Sequence, residues 1–206
     1  MGATVGECLL TLVRVVIIEE HDPAWTRHGT ALADSLRGAL APLALHVDHI
    51  GSTSIPGMAA KLVFDLQVSV ADLDEAEHAF IRPLSLRGFE LTPYRRDHVP
   101  AGRDDPPDRW VKRLWARRDH PEPDVNLHVR LLGSANERLA LLFRDWFRAH
   151  PEAIPGYARF KRSLAAAVPD LGIYSDVKDD VVDVIVAVAE SWAVQAGWAP
   201  HSQPVR

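Results

Sequence analysis

A serine hydroxyl, a carboxylate and an amide stand at spacings suited to handling a phosphate. Gly51-Ser52 is followed, with twelve residues between, by Asp65, and Gln67 lies two positions further on. Glycine lets the backbone approach a ligand closely, and serine offers both a hydroxyl and an N–H. Leu62, Phe64, Leu66, Val68 and Val70 alternate with Val63, Asp65, Gln67 and Ser69, so a strand of period two puts Asp65 and Gln67 on one face. A carboxylate flanked by Phe64 and Leu66 is costly to bury unless it is paired or binds a metal. A structural pair with Lys61 or an arginine is the plainer alternative.

This run resembles the signature of the nucleotidyltransferase superfamily, a Gly-Ser turn followed after a short connection by a strand bearing two carboxylates one residue apart. Gln67 stands where the second carboxylate belongs, and an amide is a weaker ligand for a hard divalent cation. The wording His49-Ile50-Gly51-Ser52-Thr53-Ser54-Ile55-Pro56-Gly57, with Lys61 and Asp65 after it, is similar to the GrpB-like branch of that superfamily. In particular it resembles the GrpB-like domain that follows actinobacterial dephospho-CoA kinases. The likeness covers nearly the whole chain: Asp22-Pro23-Ala24-Trp25, Asn126-Leu127-His128-Val129-Arg130, Gly133-Ser134, residues 142–146 and 148–152, Tyr157 with Lys161, Tyr174 with Lys178, and Gly197-Trp198.

The resemblance implies an α/β fold, a nucleotidyltransferase-like mixed sheet flanked by helices with a helical C-terminal lobe. It also implies a nucleoside triphosphate as substrate and a divalent metal, Mg²⁺ or Mn²⁺. Asp65 and His128 are then the catalytic candidates. Gly51, Ser52, Thr53, Ser54, Lys61, Gln67, Asn126, Arg130, Arg144 and Lys161 are the phosphate- or nucleotide-binding candidates, and Asp65, His128 and His49 the metal candidates. His128 takes the place of a third carboxylate; histidine favours zinc, manganese or nickel over magnesium, so such a site is not a standard two-magnesium centre. His128 as a general base, as a phosphate contact and as a satisfied core histidine all remain open. Two functions follow. One is an enzyme that transfers a nucleotidyl group to a small molecule or activates one through an adenylate. The other is a module that binds a nucleotide or CoA-like ligand and has lost the chemistry, which Gln67 favours.

The elements that must position these groups are read from pattern. The chain has 206 residues, 47% hydrophobic and 25% charged, with a formal charge of −5; this is ordinary composition for one globular domain. The acidic balance argues against general nucleic-acid binding, although eight basic residues gather between Arg95 and Arg118 and suit either an anionic substrate or a solvated loop. Cys8 is the single cysteine, which excludes an internal disulfide and fits a reducing cytoplasm. The apolar run 8–18 is broken by Thr11 and Arg14 and reads as neither signal peptide nor membrane span.

Residues 15–18 read as a first strand. Asp22 caps a helix with Pro23 at its first position and a stripe of Trp25, Leu32, Leu36 and Leu40. Strands follow at 45–50 and 62–70, then a helix from Asp72 that Pro83 ends or kinks, and an edge strand at 90–94. The proline-rich stretch 92–124 reads as an active-site flap with at most a short regular piece near 110–115. Residues 125–131 alternate as a strand. Ser134 and Glu137 form a capping box for a helix with Leu139, Leu142, Phe143, Trp146 and Phe147 inside. Two more helices follow, around 157–164 and 177–192. The chain is one domain with its core at about 12–198 and a frayed tail at 199–206.

Overall fold

The computed structural model describes residues 16–168 and 170–201. Five strands, β1 (His46–Ile50), β2 (Phe64–Val70), β3 (Glu90–Leu91), β4 (Lys112–Arg117) and β5 (Val125–Leu131), make one mixed sheet in the order β1-β2-β5-β4-β3. β2 and β5 are parallel, with Asp65 opposite Asn126 and Gln67 opposite His128. The remaining pairings are antiparallel. Helices α1 (Ala24–Leu40) and α2 (Leu73–Ser85) interleave with the strands, and α3 (Ala135–Ala149), α4 (Ile154–Ala167) and α5 (Leu171–Ala196) form the C-terminal lobe. The class is α/β with a mixed, helix-flanked sheet, as the sequence predicts.

Alternation decides which side of the sheet is core. Phe64, Leu66, Val68 and Val70 of β2 and Val125, Leu127 and Val129 of β5 are buried on one face beneath Trp25, Leu36 and Leu40 of α1 and Ala76, Phe80 and Leu84 of α2. Each fully buried side chain of this size contributes roughly 1.5–3 kcal/mol through the hydrophobic effect. A second core joins Ile55 and Met58 of the loop after β1 to Leu142, Phe147, Tyr157 and Ala189 of the C-terminal helices.

Local signals set the helix ends. Asp22 Oδ1 accepts the Ala24 N–H at 2.7 Å, and Asp72 Oδ1 accepts those of Asp74 and Glu75, each at 2.8 Å. At the other end of the chain Gly197 adopts φ 63°, and Trp198 N–H returns to Ala193 O at 2.9 Å; this closes α5 as left-handed glycines close helices. Pro83 does not end α2, which runs through it to Ser85: a proline in the last turn removes one donor without breaking the turns before it.

Four expectations are corrected. Cys8 and Val15 lie outside the described residues, and 16–18 form no strand; Val16 packs on Leu164 and Tyr174, and the backbone pairs only in an isolated bridge between Glu19 and Ala60. The edge strand at 90–94 shortens to two residues. The stretch 92–124 contains a full inner strand, β4, whose charges are met by distant acids: Arg113 by Asp74 and Glu77, Lys112 by Asp97. The tail is docked as far as His201: Trp198 Nε1 donates to Asp145 Oδ2 at 3.1 Å, and His201 Nε2 meets Glu137 Oε1 at 2.8 Å. Residues 202–206 lie outside the described residues.

Asp97 fastens the segment between β3 and β4 to the sheet. Its carboxylate accepts from Lys112 Nζ, from Arg130 Nε at 2.9 Å and from Asn136 Nδ2 at 3.0 Å. Burial tends to raise its pKa, but the Arg130 and Lys112 charges outweigh burial and hold it well below the usual carboxylate range. A depressed pKa stabilises the fold above the unfolded value and loses that stabilisation as pH falls through the folded one. Asp97→Asn should therefore cost about 3–5 kcal/mol at neutral pH, and its difference from wild type should shrink below about pH 4 in urea titrations. Leu127→Ala, emptying the centre of the first core, should cost about 2–5 kcal/mol at any pH.

Candidate functional site

The second face of the sheet is polar. Asp48 of β1, Asp65, Gln67 and Ser69 of β2, Asn126, His128 and Arg130 of β5, and Lys112 of β4 share it by register. The start of α3 covers one end. Over the other end a cavity of about 390 Å³ opens between the sheet, the Gly51-Ser52 turn, Asp97, His98 and Trp110 of the crossing segment, and side chains of α3, α4 and α5.

Asp65 lies on the floor of this cavity. Its Oδ1 accepts from Asn126 Nδ2 at 2.7 Å and lies 3.8 Å from His128 Nε2. Its Oδ2 faces Gly51: a Cβ added there would stand 2.5 Å from that oxygen. With φ at 67°, the position suits glycine for two independent reasons. Burial pushes the Asp65 pKa up, but the nearby His128 ring, the hydrogen bond from Asn126 and the Lys61 charge bring it down to about 2, so the group is ionised.

His128 is its neutral neighbour. Nδ1 lies 3.3 Å from Lys112 Nζ and 3.2 Å from Arg130 Nη2. Both are donors, so Nδ1 accepts and the ring proton sits on Nε2, toward Asp65. Burial, then the Lys112 and Arg130 charges, lower the His128 pKa to about 4. The lone pair that a general base or metal ligand needs is thus already engaged, and the geometry suits His128 to positioning Asp65.

At the turn, Ser52 Oγ and Lys161 Nζ are 2.9 Å apart. Lys161 also donates to Ala59 O and lies 4.9 Å from the centroid of the Tyr157 ring. Lys61 Nζ stands 5.3 Å from the Tyr174 ring centroid. Burial, which outweighs the attraction of Asp65, lowers the Lys61 pKa.

Other candidates go elsewhere. Thr53 and Ser54 turn inward: Thr53 Oγ1 meets His49 Nε2 at 2.9 Å, and Ser54 Oγ donates to Gly51 O at 2.7 Å. His49 pairs with Leu66, not with Asp65, along β1 and β2. Alternation therefore turns it to the opposite face from Asp65, where it packs on Gly29 and Phe64. Burial, with the Arg148 and Arg144 charges, lowers its pKa to about 4 against the pull of Asp65.

Gln67 is 0% exposed. It accepts from Arg130 and donates to Glu137 O at 3.2 Å, so the place of the second carboxylate is a buried amide beneath α3. Arg130 borders the cavity, but its guanidinium is shared among Asp97, Gln67 and His128. Arg144 holds Asp48 and Asp145 outside the cavity. Of the basic segment, Lys112 reaches the cavity, while Arg95, Arg113 and Arg118 are met by Glu77, Asp74 and Asp124.

Asp97, Trp110 and Asn136 are cavity residues that sequence reasoning misses. Trp110 and Asp97 fall in irregular chain without periodicity, and Asn136 sits in a cap read only for its flanking Ser134 and Glu137. Among the described residues no group of three or more histidine, cysteine or acidic side chains is arranged to hold a metal. Within the same residues no helix is long and apolar enough to cross a membrane.

A family model described as GrpB protein matches residues 15–187. A dephospho-CoA kinase of Mycolicibacterium paratuberculosis is 34% identical over 197 residues, which take in 87% of this chain but 47% of the kinase. The chain thus spans less than half of that relative's length. A UPF0157 protein of Halalkalibacterium halodurans is 32% identical over 189 residues, 91% of this chain and 89% of its own length. The crystal structure of conserved protein GrpB from Enterococcus faecalis aligns with a TM-score of 0.66 at 25% identity, covering 89% of this chain and 100% of that one. A family model that spans both the Gly51-Ser52 turn and the strand carrying His128, with agreement in fold over 89% of the chain, shows that this chain belongs to the GrpB family.

Proposed function

We propose that the cavity binds a nucleoside triphosphate and that the protein transfers its nucleotidyl group to a small molecule, or activates one with it. The observation that carries this reading is one cavity in which Lys61, Lys112, Arg130 and Lys178 gather around the ionised Asp65. Their excess over Asp65, Asp97 and Asp179 favours a multiply charged anion. The aromatic wall of Phe143, Tyr157 and Tyr174 suits a planar base. Ser52 and Lys61 are the phosphate contacts, Lys161 stands behind Ser52, and Asn126 and His128 hold the Asp65 carboxylate in place.

A divalent cation fits this donor set only in company with the ligand. Asp97 is committed to Lys112, Arg130 and Asn136, and Asp179 to Lys178 and His98; Asp65 is left as the carboxylate that would hold Mg²⁺ or Mn²⁺ beside phosphate oxygens, as one-carboxylate magnesium sites do. Such an ion supplies charge neutralisation at the phosphoryl oxygens.

The second reading, a binding module without turnover, is favoured by the burial of Gln67, which closes the second ligand position altogether. The longer relatives named dephospho-CoA kinase make a CoA-like nucleotide a ligand to include in its test.

Calorimetric titration of ATP and CoA with and without Mg²⁺, together with a pyrophosphate-release assay, decides among these. Binding with release supports transfer; binding without release under any acceptor supports the module; no binding removes both. Asp65→Asn should reduce release by about 10²-fold or more, and Lys61→Met should weaken ATP binding about tenfold, ~1.4 kcal/mol. Gln67→Glu should leave Mg²⁺ affinity unchanged and lower stability by about 1–3 kcal/mol, because the new carboxylate is sealed under α3 and loses the donor to Glu137 O. A gain in Mg²⁺ affinity in that variant would show that the position does reach the ligand.

A further inference from the structure

Lys161 stands in surroundings that disfavour its charge. It is 2% exposed, and its Nζ has Ala59 O and Ser52 Oγ as hydrogen-bond partners, with no carboxylate in ion-pairing contact among the described residues. Lys178, Arg162 and Lys61 add like charge around it, against which Asp65 acts from a distance. An ammonium so placed is relieved by losing its proton. Its amine then accepts a hydrogen bond from the Ser52 hydroxyl while still donating to Ala59 O. Ser52 borders the same cavity as Asp65, one residue after the glycine that the Asp65 carboxylate touches.

We propose that Ser52 and Lys161 form a nucleophile and base pair, through which the protein carries a nucleotidyl group covalently on Ser52. This rests on the nucleotide reading above. In the first half, Ser52 Oγ forms a bond to the α-phosphorus of the bound nucleoside triphosphate. The bond from that phosphorus to the bridging oxygen breaks, pyrophosphate leaves, and the hydroxyl proton passes to Lys161 Nζ. In the second half, an acceptor oxygen that carries no proton, as in a carboxylate or a phosphate, attacks the same phosphorus, and Ser52 Oγ departs, recovering the proton from Lys161 Nζ, which returns to the neutral amine. A serine activated by an adjacent lysine is an established form of nucleophilic catalysis on other folds.

Burial, followed by the neighbouring Lys178, Arg162 and Lys61 charges, lowers the Lys161 pKa to about 7, in the range where a base is most effective near neutrality. Lys61, Lys178, Arg162 and Asp65 are the charged groups acting on it. The Tyr157 hydroxyl, packed alongside, is pushed well above its ordinary value by burial and stays protonated.

The test is acid-quenched intact mass spectrometry and peptide mapping of the whole chain after incubation with ATP and Mg²⁺, with ATP binding measured in parallel. The expected result is one AMP per chain, esterified to Ser52 and absent in Ser52→Ala. Its rate of formation should rise through neutral pH and level off above it. Lys161→Met should slow labelling by about 10²-fold or more. Lys161→Arg, which keeps the cation but cannot act as a base, should be equally slow; labelling at the wild-type rate in that variant would reduce Lys161 to a charge and overturn the proposal. ATP binding or pyrophosphate release without an adduct, or an adduct on another residue, would also overturn it while leaving the nucleotide reading intact. Failure of ATP to bind would overturn both.

Discussion

A sheet face that carries Asp65, Gln67, Ser69, Asn126, His128, Arg130 and Lys112 cannot be covered by helices unless its polar groups find partners, because an unpaired buried donor, acceptor or charge costs more than the packing around it returns. The rest of the molecule is arranged around that requirement. Glu137, at the start of α3, accepts from Ser69 Oγ at 2.7 Å and Gly133 N–H at 3.1 Å, while its carbonyl takes the Gln67 amide. Asn136, beside it, ties Asp97 to the backbone carbonyls of Trp110 and Val111. The helix that roofs this end of the sheet is therefore oriented by the polar groups it must satisfy as well as by its apolar stripe.

The same requirement explains why the cavity lies where it does. Pairing is complete at the Gln67, Ser69 and Arg130 end and runs out at the Asp65 end, where Asn126 and His128 reach only one carboxylate oxygen. Asp65 and Asn126 stand opposite one another because β2 and β5 are parallel neighbours. The unequal distribution also bears on protonation: burial, followed by the two cations that satisfy Asp97, lowers the His128 pKa, and burial, followed by the Lys178, Arg162 and Lys61 charges, lowers that of Lys161.

Two segments without long regular structure complete the enclosure. The crossing segment before β4 is held to α5 by His98 Nε2 to Asp183 Oδ1 and Ala101 N–H to Asp183 Oδ2, both at 2.8 Å. The end of the described chain lies across α3, where Arg138 stacks over Trp198 and His201 stacks on His46 of β1. Both attachments join residues far apart in sequence, and both bear on elements that line or roof the cavity.

Strand and helix order could be read from the chain because period two and period 3.6 are local properties. Phe64, Leu66 and Val68 announce β2, and Asp22, Asp72 and Ser134 announce the helices that follow them. The same alternation puts Asp65 and Gln67 on one face, and the Gly51-Ser52 turn beside Asp65 follows from the spacing between them. β4 escaped, since Lys112, Arg113 and Arg117 make a strand only when partners such as Asp97, Asp74, Glu77 and Pro123 O meet their charges, and no local pattern shows where those partners will be.

Sequence alone thus determined the elements, the polar character of one sheet face and the prominence of Ser52 and Asp65. Tertiary structure decided what each polar residue does. It turned Thr53, Ser54 and His49 away from Asp65, buried Gln67 under Glu137, spent Arg144 on Asp48 and Asp145, and drew Lys161 up to Ser52 across an interval of 109 residues. The reason is physical: a side chain's periodicity depends on its neighbours along the chain, whereas its charge state, exposure and hydrogen-bond partners depend on groups brought near it only when the helices close over the sheet.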